Sequence, residues 1–417
     1  MLIDADLLCP PIHLGNRAGS RKRPRRIALV GNFLPRLCGL ATYTTHIWEA
    51  LRSRFPDTRV DVYAMVDPGR SYDFPPAVVR SIAQDDPDSY RAAARAIEAS
   101  DAEMLWLQHE FGIYGGSAGR DIFKLLDHIR IPVHVTLHTV LETPSDEQRA
   151  VIDRLAARAR TLVVMAETGR RILERVYDIP GDAIAVIPHG VPDRPYVEPD
   201  RIKPRFGLEG LKTILTFGLL SPGKGIETVI AALPSITARC PQAHYVVLGA
   251  THPNLVAHEG ERYREELEAL ARRLGVERHV RFVGDFVEED ELIHWLRAAD
   301  VYVTPYLNPA QITSGTLAYA FGLGKPVVSS PYAHATELLA GGLGRLVDFG
   351  DVAGFSEAIS ELLLDDAARS SLARKVYRRG REMIWDRVVA KSMERFVAGR
   401  STRVGAALPT LGPVMAY

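Results

Sequence analysis

From Arg26 onward, short apolar runs alternate with longer stretches whose apolar residues recur at helical spacing. RIALVGNF, starting at Arg26, predicts a strand, and a glycine-bearing loop, LPRLCGLA, follows it. TYTTHIWEALRSRF then carries Ile47, Trp48 and Leu51 on one helical face. The unit repeats. RVDVYAMV predicts a strand, DSYRAAARAIEAS a helix, EMLWLQHEFGIYGG a strand running into a loop, GRDIFKLLDHIR a helix and IPVHVTLHT a strand. Ser145 and Gln148 have the spacing of a reciprocal capping box and open a helix through Arg158. TLVVMA, ETGRRILERVYD and IAVIPHGV continue strand, helix, strand. Uninterrupted apolar runs between helices fit strands covered on both faces, so the expected class is α/β with a doubly wound parallel sheet.

PDRPYVEPDRIKPRFGLEG breaks the rhythm with its prolines and reads as a connection between domains. The pattern then restarts. KTILTFGLL is a strand, SPGKG a glycine loop, and IETVIAALPSI a helix with Ile226, Val229, Ile230 and Leu233 on one face. HYVVLGA, HVRFVGDF, VYVTPYL, KPVVSS and GRLVDF are further strands, with helices between them. EMIWDRVVAKSMERFVAGR forms a last amphipathic helix, with Trp385, Val388, Val389 and Met393 together. The expected organisation is an arm over 1–25, a Rossmann-like domain over 26–195, a second over 196–381, a helix over 382–398 and a loose tail over 399–417. Ligands of such sheets sit at the carboxyl ends of the strands, here in the cleft between the halves.

Composition narrows the function classes. Among the 417 residues, Lys plus Arg and Asp plus Glu both number 51, so no global basic field draws nucleic acid or acidic lipid. The run Arg21, Lys22, Arg23, Arg25 and Arg26 is local and reads as a solvated tail. Cys9, Cys38 and Cys240 make neither a disulfide framework nor a zinc pattern. Apolar runs stay short of a membrane span, and the acidic first residues do not suit a signal peptide. The expectation is a soluble cytoplasmic protein.

Four places carry chemistry. NPAQITSGTLAYAFGLGKPVV, from Asn308 to Val328, opens a helix with Gln311, Thr313, Ser314, Gly315 and Thr316. Small and polar residues there leave backbone N–H groups and a positive dipole end available to an anion. Gly39 precedes another helix and lets a diphosphate approach the backbone, though glycine also serves packing at such places. His109 and Glu110 end one strand and His138 ends another; a histidine there can orient a hydroxyl or share a proton, or be a satisfied loop residue. Lys224, beside Gly223, adds a point charge at a helix start. Neither GxxxxGK[ST] nor GxGxxG occurs, so neither ATP hydrolysis nor a dinucleotide cofactor is implied. The Asp4–Asp6 pair is set aside as part of the arm, and no cluster has metal-ligand spacing.

CGLATYTTHI, QHEFGIYGG, TLHT, VIPHGV, GLLSPGKGIETVIAAL, FVGDFVEEDELIHWLRAADVYVTPY and GLGKPVVSS occur in an order that resembles glycosyltransferase family 4. The resemblance spans about residues 26–398. It implies the GT-B fold, with two facing Rossmann-like domains, a nucleotide sugar held mainly by the second, and a last helix crossing back to the first. It also implies retaining transfer without an essential metal or other cofactor. Carried over, Gly39, Gly218 and Gly223 would line the donor, His109 would touch the transferred sugar, and Lys224 would neutralise the leaving diphosphate. Thr313, Ser314, Gly315 and Thr316 would add N–H groups to that phosphate, while Glu110, Tyr114 and His138 would face the sugar or acceptor. The family's two glutamates, however, are Gln311 and Tyr319 here, and its arginine after Gly218 is Leu219. Three readings follow: a transferase with altered donor recognition, a phosphorylase-like enzyme using phosphate or a sugar 1-phosphate, and a non-catalytic sugar-binding protein. Sugar, base, acceptor and oligomeric state are not spelled by the sequence.

Overall fold

The structure, a computed structural model, describes residues 23–284 and 287–398. The Asp4–Asp6 pair, Cys9, Arg21, Lys22 and the 399–417 tail lie outside the described residues. Among the described residues the strands form two sheets. The first contains β1 (Arg26–Gly31), β2 (Arg59–Val66), β3 (Val78–Ala83), β4 (Met104–His109), β5 (Val133–Leu137), β6 (Thr161–Val164) and β7 (Ile184–Val186). The second contains β8 (Lys212–Phe217), β9 (Ala243–Leu248), β10 (Val280–Val283), β11 (Val301–Thr304), β12 (Val327–Ser329) and β13 (Arg345–Leu346). Strand order is β3-β2-β1-β4-β5-β6-β7 in one and β10-β9-β8-β11-β12-β13 in the other. All pairings are parallel, for example Ile27 with Met104 and Ile214 with Tyr245.

Helices α1 (Gly39–Arg54), α2 (Pro87–Glu98), α3 (Phe123–Leu126), α4 (Asp146–Arg158) and α5 (Glu167–Val176) accompany the first sheet. With the second run α6 (Ile226–Arg239), α7 (Pro253–Glu259), α8 (Arg262–Arg273), α9 (Glu289–Ala298), α10 (Gly315–Gly322), α11 (Ala333–Leu338), α12 (Val352–Leu364) and α13 (Asp366–Gly380). The last helix is α14 (Trp385–Ala398). The capping box of α4 forms as the sequence predicts, Ser145 and Gln148 bonding reciprocally.

Two elements differ from the sequence reading. β3 is an additional edge strand whose Val79, Arg80 and Ser81 are exposed, so it lacks the buried apolar run that marks its neighbours. GRDIFKLLDHIR is split: its first residues belong to a 3₁₀ segment, Ser117–Ile122, and only Phe123–Leu126 is α-helical. Ala118 (φ 51°) and Gly119 (φ 77°) adopt left-handed backbone there, which interrupts the ladder despite the apolar periodicity.

The chain crosses between the halves twice. Val191 pairs with Ile384, the Val191 amide donating to Met383 O at 2.9 Å and the Trp385 amide to Val191 O at 3.1 Å. From this crossing α14 runs back onto the first sheet. Trp385, Val388, Val389, Met393 and Phe396 are buried with Ile27, Leu29, Tyr43, Ile47 and Trp106, and Arg54 pairs with Asp386 at 2.8 Å. Gly190 is needed at the crossing, because a Cβ there would lie 2.0 Å from Trp385 Cε3. Among the described residues no helix is long and apolar enough to cross a membrane.

Candidate functional site

The carboxyl ends of β4 and β5 bring polar side chains to one edge of the first sheet. His109 is fully buried, and neither ring nitrogen has a partner among the described residues. Burial lowers its pKa to about 3, so the ring is neutral at physiological pH. His138, with Nε2 at 3.1 Å from Gln108 Oε1, is lowered to about 3 for the same reason. Asn32 Oδ1 and Gln108 Nε2 are also buried without a partner. Orphaned polar atoms are uncommon in a settled core, and four such atoms on three residues at one end of the sheet mark a place built for polar contact. Glu110 and Tyr114 are committed locally. One Glu110 oxygen accepts the Phe111 amide and the other the Thr139 hydroxyl at 2.6 Å, while Tyr114 donates to Gln108 O at 2.6 Å. Both shape the loop after β4.

The second half supplies a cation and free amides. Lys224 ends a 3₁₀ turn, Pro222–Lys224, with exposed Gly223 at its middle. Gly225 closes that turn at φ 62°, and a Cβ there would meet Pro305 O at 2.1 Å, so only glycine fits. The Lys224 ammonium lies 4.0 Å from the centre of the Tyr306 ring and pairs with no carboxylate among the described residues. Tyr306 in turn bonds Thr316 Oγ1 at 2.7 Å, and Thr316 Oγ1 lies 3.1 Å from Ser314 Oγ. Ser314 caps α10 by accepting the Leu317 amide, and its own amide donates to His334 Nδ1 at 2.9 Å. The amides of Gly315 and Thr316 keep no partner among the described residues. Lysine, helix dipole and free amides therefore converge at the start of α10, where positive potential can receive an anion. Gly218, at the end of β8, sits against Thr316, since a Cβ on it would be 3.4 Å from Thr316 Cγ2.

Gln311, Thr313, Gly39 and Tyr319 are the remaining predicted residues. Gln311 donates to Thr313 O at 3.1 Å, and Thr313 Oγ1 is buried without a partner. The same loop sends Ile312 into the core of the first half. Gly39 is the exposed first residue of α1, with open space where a side chain would stand. Tyr319 lies farther along α10, where its hydroxyl contacts His46 Nδ1 at 3.1 Å and Glu289 Oε1 at 3.0 Å.

Sequence reasoning passed over the groups that join the halves. His189 donates from Nδ1 to Gly190 O at 2.7 Å, leaving Nε2 only 3.1 Å from where a Cβ on Gly315 would be. Desolvation lowers its pKa to about 4. Tyr43 packs edge-on against His189 and His138, at 5.1 and 4.7 Å, and so ties the loop after β7 to the end of β5 within the first half. The buried His334 ring, lowered to about 3 by desolvation, braces the start of α10. VIPHGV holds His189 in the loop after β7 and PYAHATE holds His334 in the first turn of α11, which is the only signal the sequence offers.

Comparison with known proteins adds an independent line. The family profile described as "Glycosyltransferase Family 4" matches residues 38–194, and that described as "Glycosyl transferases group 1" matches residues 211–365. A D-inositol 3-phosphate glycosyltransferase of Corynebacterium efficiens is 29% identical over 287 residues, 64% of this chain and 66% of that protein. A GDP-mannose-dependent alpha-(1-6)-phosphatidylinositol monomannoside mannosyltransferase of Mycolicibacterium smegmatis is 31% identical over 196 residues, 45% of this chain and 48% of that protein. The matched stretches thus span less than two thirds of either relative. Anabaena HepE, solved in complex with UDP, superposes with a TM-score of 0.70 at 16% identity, covering 89% of this chain and 100% of that one. At that identity the likeness speaks to the fold alone.

Proposed function

The chain belongs to the glycosyltransferases of family 4 and group 1 and has their GT-B fold, and on that premise we propose that it transfers a hexosyl group from a nucleoside-diphosphate sugar to a carbohydrate-type acceptor. The observation that carries the reading is the convergence of Lys224 with the unpartnered Gly315 and Thr316 amides at the start of α10. In this reading the donor's diphosphate occupies that seat. As the bond to the sugar breaks, negative charge grows on the departing phosphate, and a cation with two fixed N–H dipoles stabilises it without reorganising. His109, neutral and unpaired, offers its ring to a hydroxyl of the transferred sugar. Transfer is taken to be retaining and to need no metal ion, with the enzyme working in the cytoplasm. Relatives named for inositol phosphate and phosphatidylinositol mannoside chemistry suggest a polyol or glycolipid acceptor.

A thermal-shift panel with UDP, GDP, ADP, inorganic phosphate and hexose 1-phosphates tests this, because a ligand bound only by the native state raises the melting temperature. Stabilisation by one nucleoside diphosphate, lost in Lys224→Ala, is expected. Stabilisation by phosphate or a sugar 1-phosphate alone overturns the transferase reading in favour of a phosphorylase. One observation favours that second reading: residues 311 and 319 present no carboxylate to a ribose, and Tyr319 is already engaged by His46 and Glu289.

A further inference from the structure

The loops that follow β8 and β11 meet at one end of the second sheet, because these two strands are neighbours. The Leu307 amide donates to Gly223 O at 3.0 Å, and Gly225 lies against Pro305 O, where a Cβ would be 2.1 Å away. The backbone therefore sets Tyr306 beside Lys224. The Tyr306 side chain is 1% exposed, and the Tyr332 ring stacks with it at 5.3 Å and 19°. Its hydroxyl contacts Thr316 Oγ1 at 2.7 Å in the first turn of α10, and the Lys224 ammonium stands over its ring at 4.0 Å. One buried side chain thus touches both parts of the anion seat, the cation and the helix start. We propose that Tyr306 is a positioning residue whose ring face holds the Lys224 ammonium ready for a phosphate group, at a spacing from the α10 amides that its hydroxyl fixes through Thr316.

An aromatic partner suits this task better than an acidic one. A carboxylate beside Lys224 would hold the side chain, but it would also cancel the charge and occupy N–H groups. A ring face attracts the ammonium through its quadrupole and carries no net charge. The positive field at the seat survives, and the N–H groups stay free for phosphate oxygens. Lys224 is half-buried, and a lysine stem is rich in rotamers whose loss opposes binding. Holding it over Tyr306 beforehand moves that cost from the binding step to folding. The Tyr332 ring in turn backs Tyr306, and its hydroxyl reaches Thr304 Oγ1 at 3.3 Å, so the support is tied to the end of β11. This role rests on the seat proposed above, and it is the same whether the phosphate belongs to a nucleoside diphosphate or to a sugar 1-phosphate.

In ligand-free protein labelled with ¹³C-lysine, the Lys224 Hε protons should be shifted upfield by the Tyr306 ring, with assignment by loss of the signal in Lys224→Met. Tyr306→Phe should keep the shift, since Tyr332 still backs the ring, and Tyr306→Leu should abolish it. Calorimetric titration with UDP and with inorganic phosphate then reads the seat. Tyr306→Leu should weaken whichever probe binds by about fivefold, the scale of one cation–π contact, and should weaken it no further in the Lys224→Met background. Tyr306→Phe made with trifluorophenylalanine keeps the ring's shape and loses its negative face. It should bind as weakly as Tyr306→Leu, and it serves as the test if the leucine variant does not fold. An unshifted Lys224 signal in the wild type, or equal losses from Tyr306→Leu in both backgrounds, overturns the proposal. Binding of phosphate and not of UDP, with the same losses at Tyr306, supports it while overturning the transferase reading. Binding of neither probe removes the seat and the role of Tyr306 with it.

Discussion

Glu337 offers the sharpest single-residue test of how the two halves hold each other. Helix α5 of the first half begins at Glu167 after Ala166, which has no side chain able to cap it. The cap arrives from the second half. Glu337 of α11 accepts the Glu167 amide at 2.7 Å, the Thr168 amide at 3.0 Å and the Thr168 hydroxyl at 3.3 Å. Losing an N-cap costs about 1 kcal/mol, and removing a negative charge from the positive end of a helix adds roughly 0.3–1 kcal/mol. Glu167 itself stands in that first turn and keeps part of the dipole interaction, so Glu337→Ala should lower the local opening free energy by about 1.4 kcal/mol, roughly a tenfold change. Amide hydrogen exchange reads this directly, as faster exchange of the Glu167 and Thr168 amides. Glu337→Gln keeps an accepting oxygen but loses the charge, and its effect should fall between Ala and wild type. If exchange in Glu337→Ala stays within about twofold of wild type, the interdomain cap holds nothing and the reasoning fails.

Lys224→Ala and His109→Ala should each lower turnover by at least ~10²-fold, the scale for losing one transition-state stabiliser, and near-normal rates in both would remove them from the site. Gly190→Ala forces a Cβ into the buried Trp385 ring, so denaturant titration should show a loss of about 3 kcal/mol, at the upper end for overpacking. Acid should destabilise the protein through His109 and His334, both held neutral to about pH 3 by burial. The folded form binds fewer protons than the unfolded one, whose histidines titrate near 6.5, so this stability is complete above that value and is lost as pH falls toward 3. Each ring contributes about 1.4 kcal/mol per pH unit, or about 4 kcal/mol for the two together at pH 5. The urea midpoint should drop accordingly between pH 7 and pH 5, and an equal drop in the His109→Gln, His334→Gln double variant would refute the assignment.

β8, β9, β11 and β12 were legible because each is a compact apolar run bounded by glycine, proline or a helix, and a buried parallel strand needs little else. β3 was not legible, since an edge strand with its middle facing water carries no such run. The proposed anion seat has a local signature. Lys224 lies within one turn of its helix, and Ser314 and Thr316 lie within one turn of theirs, so spacing along the chain is also spacing in the structure. Glu110 and Tyr114 could not be assigned in this way. Their residue types suit a sugar, but a carboxylate or phenol beside a tight loop serves the loop's own amides and carbonyls equally well, and here both do so. The limit is clearest at Tyr319. Its hydroxyl meets a glutamate 30 positions away in the same half and a histidine 273 positions away across an interface that exists only after both halves have folded and docked. A local pattern can identify which helix start is electropositive. Only the docked chain determines which side chains behind it bind α10 to the other half, and for Tyr319 that side chain is His46 of α1.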